Sequence, residues 1–490
     1  MVSGMRDAWR VLAATVALFS AGGAAAEEGP VLLAEEATGS VEVAGERSVL
    51  IEGLHGEISI VAGQPGRLAF ANELGGAQAA PLPVALWLEG DAFRIAPPSG
   101  ARDVPSVFAV WVPPSMRVVV RTNDSTVYVK ETKGSVDLKG QRNRLEVFGA
   151  TGAVSAELDG GSFSAVGGSG DLDVRGRNLS VRLEGVGGSI SLRVSKGASA
   201  LSGVRGDLDG EFEDVDVTVD QAFGPCRVGL RGGRAKLKGM RQGADVFSAG
   251  APLTVESSKG TITVESDAGV QFRDVEGAIR VMAYGGAVRA VTVKGSVDVK
   301  GVGADEVGIE SVSGTVTIEG QGLRTKVSDI GGDVTVRTSS GPIEAENVSG
   351  ALTVEADSGR VELRQLPGAV RIRSRASDVS LAEASGPVTI DADGGQVDIL
   401  WSAVGLTADS SIKNDGGGVS VRFPAAGGCR VEAEAKYGRV EVDGLPGITV
   451  SDGGARATGL VGRISRPLLR IVANGDIVLS GKGEGEAEPR

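Results

Sequence analysis

The sequence predicts an all-β protein: a parallel β-helix (β-solenoid) of about 15 coils of 18 residues, capped by an N-terminal β-rich module. Three observations predict it. Glycine supplies 76 of the 490 residues, about twice its usual share. Many of these glycines recur at a nearly constant spacing of 18 residues, and short apolar–polar alternations stand at fixed places in each interval. Glycine does not recur at every third position, which excludes collagen.

Residues 1–26 resemble a secretory signal peptide. Arg6 and Arg10 precede the uncharged stretch 11–26, which ends in three alanines before Glu27. A basic start, a short apolar stretch and an Ala-x-Ala end predict cleavage after Ala26. The alternative is an uncleaved anchor, but these 16 uncharged residues fall short of the roughly 20 that span a bilayer. The mature chain is therefore expected to be exported (periplasmic, cell-surface or secreted) and to contain no transmembrane span.

Residues 27–125 lack the 18-residue repeat and hold most of the large aromatic side chains and many prolines. This composition predicts a β-rich capping module, because an open terminal coil would expose apolar core and unpaired strand edges. Residues 405–480 keep short strand patterns in a looser register and are expected to form less regular terminal coils. Residues 481–490 are predicted to be a disordered tail.

Residues 126–404 carry the repeat. Two residues after almost every register glycine stands Val, Leu or Ile, and a second alternating stretch follows half a repeat later, so each unit is predicted to hold two strands. Asp245, next to Val246, breaks the series. The glycine is expected to point inward at a bend, where a side chain would crowd the axis. An antiparallel sandwich of hairpins is the alternative, but it would not keep one register. The register glycines are Gly134, Gly152, Gly170, Gly188, Gly206, Gly224, Gly243, Gly260, Gly277, Gly295, Gly314, Gly332, Gly350, Gly368 and Gly386.

Charges of alternating sign stand five residues after successive glycines. In parallel coils in register these side chains would stack, and each opposite-charge pair would contribute roughly 0.2–1 kcal/mol. The charge ladder is predicted to be structural; the alternative is a charged ligand groove. It comprises Lys300, Glu319, Arg337, Glu355, Arg373 and Asp391, with a less regular ladder earlier at Lys139, Glu157, Arg175, Arg193 and Glu211.

Two segments resemble a known family. The stretch 107–114 (VFAVWVPP), followed by 118–120, and the closing stretches 418–424 (GVSVRFP) and 437–442 (YGRVEV) are similar to the bacterial putative-adhesin or "toastrack" domains of unknown function. The resemblance covers roughly residues 40–480. It implies a β-helical fold and, as for many members, a place in the bacterial envelope, for some beside envelope-stress systems. It supplies no catalytic motif, and this chain has many more coils than a typical member.

Composition excludes several classes of chemistry. His55 is the single histidine, which excludes a multi-histidine metal site and any Ser–His–Asp triad without His55. A net charge of −13 without a basic block argues against nucleic acid. The best match to a calcium-binding nonapeptide, residues 167–173, has Leu172 where aspartate is required. Cys226 takes an inward apolar slot, and nothing predicts that it pairs with Cys429. No cofactor or metal is expected.

Pairs of carboxylates spaced by two residues could face solvent together, as in β-helices that cleave polysaccharides. The more ordinary interpretation is a solvated strand end. It is favoured because the pairs are not in adjacent coils and no aromatic platform is evident beside them. The pairs are Glu265/Asp267, Glu355/Asp357 and Asp391/Asp393.

The sequence therefore predicts a non-enzymatic, exported β-solenoid that acts as an adhesin-like interaction surface or envelope scaffold. No catalytic, cofactor-binding or metal-binding residue is assigned, and the expected partner is an envelope or surface protein or a glycan. One alternative is a carbohydrate-active β-helix enzyme that uses the paired carboxylates. Another is a component associated with envelope stress.

Overall fold

The computed structural model describes residues 30–45, 47–74, 83–98, 106–402, 406–424, 427–462 and 466–481, together with a two-residue strand at Thr15–Val16. The predicted signal peptide otherwise lies outside the described residues, as does the predicted tail beyond Gly481. The chain divides into two compact units, 1–242 and 243–490. Within the described residues it forms parallel turns about 18 residues apart, about 17 in all, which confirms the predicted β-solenoid.

In the first unit, seven parallel turns run from Arg117 to Lys238 among the described residues, each with two strands or one long strand bent between them. Residues 18 apart are register partners, as in Val136↔Val154. The predicted boundary at residues 125/126 falls between the two strands of one turn. The strands are β1 Thr15–Val16, β2 Val31–Glu36, β3 Thr38–Glu42, β4 Ser48–Glu52, β5 Gly56–Ala62, β6 Arg67–Leu74, β7 Val84–Glu89, β8 Ala92–Ala96, β9 Ser106–Val112, β10 Arg117–Arg121, β11 Thr126–Lys130, β12 Val136–Phe148, β13 Val154–Val166, β14 Leu172–Glu184, β15 Ile190–Val204, β16 Leu208–Ala222 and β17 Cys226–Lys238.

The N-terminal strands do not stack in chain order. The β4–β5 turn pairs in parallel with β10–β11 on one side and with β8–β9 on the other. Antiparallel strands then continue both sheets outward, β7 and β2 from β8, and β6 and β3 from β9. These hairpins cover the parallel edges that the first turns would otherwise expose.

In the second unit, ten parallel turns run from Ala244 to Phe423 in the part described. The strands are β18 Ala244–Ala249, β19 Leu253–Glu256, β20 Ile262–Ser266, β21 Val270–Val275, β22 Ile279–Ala283, β23 Ala287–Val293, β24 Val297–Gly301, β25 Glu306–Val312, β26 Val316–Gly320, β27 Arg324–Ile330, β28 Val334–Thr338, β29 Ile343–Val348, β30 Leu352–Leu366, β31 Val370–Ala384, β32 Val388–Ala392, β33 Val397–Trp401, β34 Ser410–Asn414, β35 Val419–Phe423, β36 Cys429–Ala435, β37 Val440–Asp443, β38 Ile448–Ser451, β39 Arg456–Val461, β40 Leu468–Ala473 and β41 Ile477–Gly481.

The C-terminal end also departs from chain order. The last strand pair, β40–β41, lies between the β34–β35 turn and the earlier β36–β37 pair. Antiparallel β39 and β38 then extend the β36 side, and a short 3₁₀ segment, Asp452–Gly454, precedes β39. At each end one strand pair is therefore inserted out of chain order: the early β4–β5 turn at the N-terminal end and the late β40–β41 pair at the C-terminal end.

Inward positions of the turns form a largely aliphatic interior. The paired strands alternate buried and outward residues, as in β28, where Val334 and Val336 are buried and Arg337 is exposed. Because register partners occupy the same position in every turn, Val, Leu and Ile stack on one another through the unit. Burial of such side chains contributes roughly 1.5–3 kcal/mol each, so this repeated interior dominates the stability of the fold.

The register glycines are required for a different reason from the one expected. A Cβ on Gly332 would lie 2.5 Å from the carbonyl oxygen of Gly314, one turn earlier, and Gly170 and Gly350 are equally crowded by the backbone of Gly152 and Gly332. The expected inward crowding at the axis is therefore wrong. These glycines stack on one another, and the missing side chain would collide with the preceding turn. None of the three has a positive φ.

The apparent break at Asp245 is a one-residue misassignment of the register. Ala244 is the register partner of Ile262 and is buried, as is Val246, whereas Asp245 points outward. The position equivalent to a register glycine is therefore Gln242, not Gly243. The inward series continues without interruption through small Ala244.

A second column of residues has left-handed backbone. Three residues before successive register glycines, φ is positive at Asp274, Thr292, Ser311, Asp329 and Asn347. Asp and Asn tolerate this conformation better than most residues, whereas a β-branched side chain is strained there. Thr292, with φ of 59°, is the β-branched member.

Replacing Thr292 with glycine should therefore stabilise the protein. Relief of about 1–2 kcal/mol of left-handed strain exceeds the roughly 0.5–1 kcal/mol entropic cost of glycine. Urea unfolding should give a gain of roughly 0.5–1 kcal/mol. The matched control is Thr263→Gly, an exposed position within β20, where the same change should lose stability. Equal losses in both variants would contradict the strain at Thr292.

Candidate functional site

The charge ladder forms as a column of register partners on the first strand of each turn. Arg337 lies at its centre and donates hydrogen bonds to Glu319 at 2.9 Å and Glu355 at 3.1 Å, one turn to either side. Both hydrogen bonds raise the pKa of Arg337 above its usual value, and the one to Glu319 has the larger effect. The column continues to Lys413, whose Nζ lies 3.7 Å from Asp391. The predicted alternation is therefore present in the register of the column, with cross-turn ion pairs at Arg337 and Lys413, and each exposed pair contributes little by itself.

The same column lines an open groove on the second unit. The groove encloses about 830 Å³ and crosses six successive turns, from Lys300 to Asp393. Side chains five and seven residues after each register glycine form it, and the small residues between them form its floor, including half-buried Gly320 and buried Ala356. The arrangement gives an extended ligand a row of alternating charged groups.

Two of the three predicted carboxylate pairs are brought together in this groove. Glu355/Asp357 and Asp391/Asp393 line it two turns apart. The intervening turn places Arg373 and Arg375 between them, and Arg375 lies 3.5 Å from Asp357. The two carboxylate pairs are therefore separated by a pair of arginines in the groove.

The third pair lies in earlier turns of the same strip, by which we mean the outward side chains five and seven residues after each register position. It lies next to aromatic side chains that the sequence analysis missed. Phe247, Glu265 and Met282 are successive register partners, and Met282 is the partner of Lys300. Tyr284 follows two residues after Met282, and its hydroxyl donates to the Met282 sulfur at 2.8 Å. The expectation that no aromatic platform accompanies the acids is therefore wrong for Glu265/Asp267. Counting five and seven residues from each register position, with Gln242 in place of Gly243, would have found it.

The earlier ladder in the first unit is partly formed. Lys139 lies 2.6 Å from Glu157, and Arg193 lies 3.4 Å from Glu211, each across one turn. Arg175 instead bonds Asp173 of its own strand, at 2.9 Å. This column stabilises neighbouring turns locally.

A separate cluster fixes the corner before the register glycines of the second unit. Glu276 lies between Lys259 at 2.6 Å and Lys294 at 3.1 Å. Hydrogen bonds from Lys259, which has the larger effect, and from Lys294 lower the pKa of Glu276 from 4.5 to about 2. The group is an exposed three-charge bridge across three turns.

This bridge gives a pH-dependent contribution to stability. Because the folded pKa of Glu276 is depressed, its contribution is present above about pH 4.5 and is lost as the pH falls towards 2. Glu276→Gln should lower Tm at pH 7, and the difference from wild type should shrink between pH 4.5 and 3. Glu310→Gln, an exposed acid with no ion pair among the described side chains, is the control. A difference in Tm that stays constant with pH would contradict the role of the bridge.

The remaining candidate residues are structural in their placement. Cys226 and Cys429 are both buried, and burial raises the pKa of the Cys429 thiol to about 11, so its reactive thiolate is scarce at neutral pH. His55 lies between β4 and β5, with Nδ1 3.1 Å from the carbonyl oxygen of Asn123.

Across the residues that the structure describes, no group of three or more His, Cys, Asp or Glu side chains could hold a metal ion. In the same part of the chain, no helix has the length and apolarity needed to cross a membrane.

Comparison with known proteins gives one finding. No curated protein and no solved structure shows a significant match to the chain. A family model does match residues 331–453, a segment that contains the ladder from Arg337 to Lys413 and continues into the C-terminal strands. The model is described as Toastrack DUF4097, a domain of unknown function, and the resemblance inferred from the sequence is confirmed for this segment.

Proposed function

We propose that this chain is an exported, non-enzymatic β-solenoid that serves as an adhesin-like interaction surface or envelope scaffold. The observation that carries the proposal is the continuous strip of outward side chains in register across the second unit. Its charged groove distributes paired charges over six turns instead of gathering them around one reacting centre. The basic and apolar pattern of residues 1–26 supports export.

An extended partner fits this groove better than a compact one. Successive turns are spaced by about 4.8 Å, so six turns offer a surface roughly 24 Å long. Lys300 and Arg373 are the exposed cations of the ladder without an ion pair among the described side chains, and Arg373 lines the groove between Glu355 and Asp391. Arg373 is therefore available to an anionic or hydroxyl-bearing group of a surface protein or glycan.

The proposal is tested by binding and turnover together. Purified residues 27–490 would be incubated with washed bacterial envelopes and with a panel of purified polysaccharides, and both bound protein and released products would be measured. We expect saturable binding without product release, and weaker binding by Arg373→Gln. Arg371→Gln is the matched control, because Arg371 is exposed on the same strand and lies outside the groove. Absence of binding to every probe would contradict the proposal.

A carbohydrate-active enzyme is the second candidate, because two carboxylate pairs line the same groove. Glu355 and Asp391 are two turns apart, so their backbones are separated by about 9.6 Å, near the upper end of the carboxylate separation in inverting glycosidases. Product release by the wild type that is abolished in Asp391→Asn, and retained in Asp298→Asn outside the groove, would favour this candidate over the binding function.

A further inference from the structure

An exposed apolar patch adjoins the charged groove on the second unit. It consists of Phe247, Met282, Tyr284 and Val302, which are 46%, 40%, 46% and 65% exposed. They occupy consecutive or alternate turns of one strip: Phe247 and Met282 belong to one register column, and the Val302 amide donates to the carbonyl of Ala283, next to Tyr284. We call these four residues the apolar patch. Single exposed apolar residues are ordinary, but a contiguous group marks an interaction site.

The corners that carry the patch differ in length. The corner is the segment between the first strand of a turn and the first inward register position of its second strand. It has four residues after Ser248 and after Ala283, three after Ser266 and five after Gly301. The short corner holds Asp267, and the long corner holds Val302. These are the irregular 17- and 19-residue steps of the repeat. The corner surface is therefore uneven here, which gives the patch a shape of its own.

Two carboxylates lie within the patch. Glu265 is the register partner of both Phe247 and Met282, and Asp267 stands two residues further along. No ion pair joins either acid to a cation among the side chains described, although Asp267 accepts a hydrogen bond from the Gly250 amide at 2.5 Å. In the neighbouring ladder, by contrast, Glu319 and Glu355 are both paired with Arg337. The patch thus combines aromatic faces with negative charge that the described chain leaves unmatched.

This combination has a specific chemical complement. A guanidinium can stack on an aromatic ring while donating two parallel hydrogen bonds to a carboxylate, which a lysine ammonium cannot do. Aliphatic side chains on either side of it would cover Met282 and Val302. Aromatic residues, methionine and arginine are the residue types enriched at the centres of protein interfaces.

We infer that the apolar patch, with Glu265 and Asp267, is a docking site for a protein segment that presents an arginine between apolar side chains. The inference rests on the proposed function as an interaction protein and assigns a partner chemistry to a surface outside the Toastrack match. The arginine lies between Phe247 and Tyr284 and pairs with Glu265, while its apolar neighbours contact Met282 and Val302.

The test uses residues 27–490 and fluorescein-labelled peptides of sequence Ser-Leu-Arg-Leu-Gly-Ser, with a counterpart that has glutamate in place of arginine. Fluorescence anisotropy should show binding of the arginine peptide that weakens with salt, and at least about tenfold weaker binding of the glutamate peptide. Glu265→Gln/Asp267→Asn and Phe247→Ser/Tyr284→Ser should each weaken the arginine peptide by about tenfold. Glu265→Arg should reverse the preference between the two peptides.

Matched controls keep the outcome interpretable. Glu344→Gln/Glu346→Gln removes another exposed pair of acids two residues apart, and Leu400→Ser removes another exposed apolar side chain; neither should change binding. Circular dichroism of each variant establishes that it is folded. Equal binding of the two peptides, or binding unchanged in folded patch variants, would overturn the inference. So would selective binding of neutral oligosaccharides that is lost in Phe247→Ser/Tyr284→Ser and kept in Glu265→Gln/Asp267→Asn.

The two proposals fail separately. If envelope binding persists in the patch variants and falls in Arg373→Gln, the docking site is wrong and the interaction function stands. If the patch binds the arginine peptide but residues 27–490 bind no envelope or polysaccharide probe, the site stands and the broader function is wrong.

Discussion

Gly332→Val is expected to lose about 3 kcal/mol or more of the free energy of unfolding. The added Cβ would lie 2.5 Å from the Gly314 oxygen and 2.6 Å from its carbonyl carbon, so backbone and not a flexible side chain must move. Moving it means parting two turns whose strands β26 and β28 are paired along their length. Urea unfolding followed by circular dichroism measures the loss.

Adjacent Gly331 provides the sharpest control for this effect. A Cβ there would come no closer than 3.2 Å, to the Ser313 oxygen, so Gly331→Ala should be far milder than Gly332→Ala. Thr335→Ala, three residues after Gly332, is a weaker control, because Thr335 is half-buried. Similar losses for the two alanine variants would contradict the stacking of the register glycines.

Phe272→Ala should also be strongly destabilising, by about 3–5 kcal/mol. Phe272 is 1% exposed and is one of the few aromatic side chains that fill the interior, so its removal leaves a cavity that aliphatic neighbours on paired strands cannot collapse to fill. Phe247→Ala is the matched control: the same change at a 46% exposed position should cost less than about 1 kcal/mol. Equal losses of stability would contradict the assigned inward and outward faces.

The repeated turns could be predicted from the sequence because the same pattern of glycine and apolar residues recurs in almost every turn. Inward Val316, Val334 and Leu352 each stand two residues after a glycine, and their stacking follows from that spacing alone. The physical role of the glycine could not be predicted in the same way. Whether Gly332 faces the interior or the previous turn depends on local backbone direction, which the spacing does not encode.

The two ends could not be derived, because their pairing does not follow chain order. Nothing in the local pattern of β40 and β41 indicates that they lie between β34–β35 and β36–β37.

The candidate site could be predicted only in part from the sequence. The charge ladder was predicted residue by residue, since its period equals that of the repeat. Phe247 and Tyr284 were missed because an apolar residue at an outward position carries no periodic signal of its own.

The central claim is that outward residues at one register position stack into a continuous strip along the second unit. Spin labels on Glu265→Cys/Asp391→Cys are seven turns apart by register, and those on Glu265→Cys/Arg337→Cys are four turns apart. The native cysteines are buried. Pulsed electron–electron resonance should give separations of about 34 Å and about 19 Å, in proportion to the number of turns. Similar separations for the two pairs would contradict the parallel stack and the strip built on it.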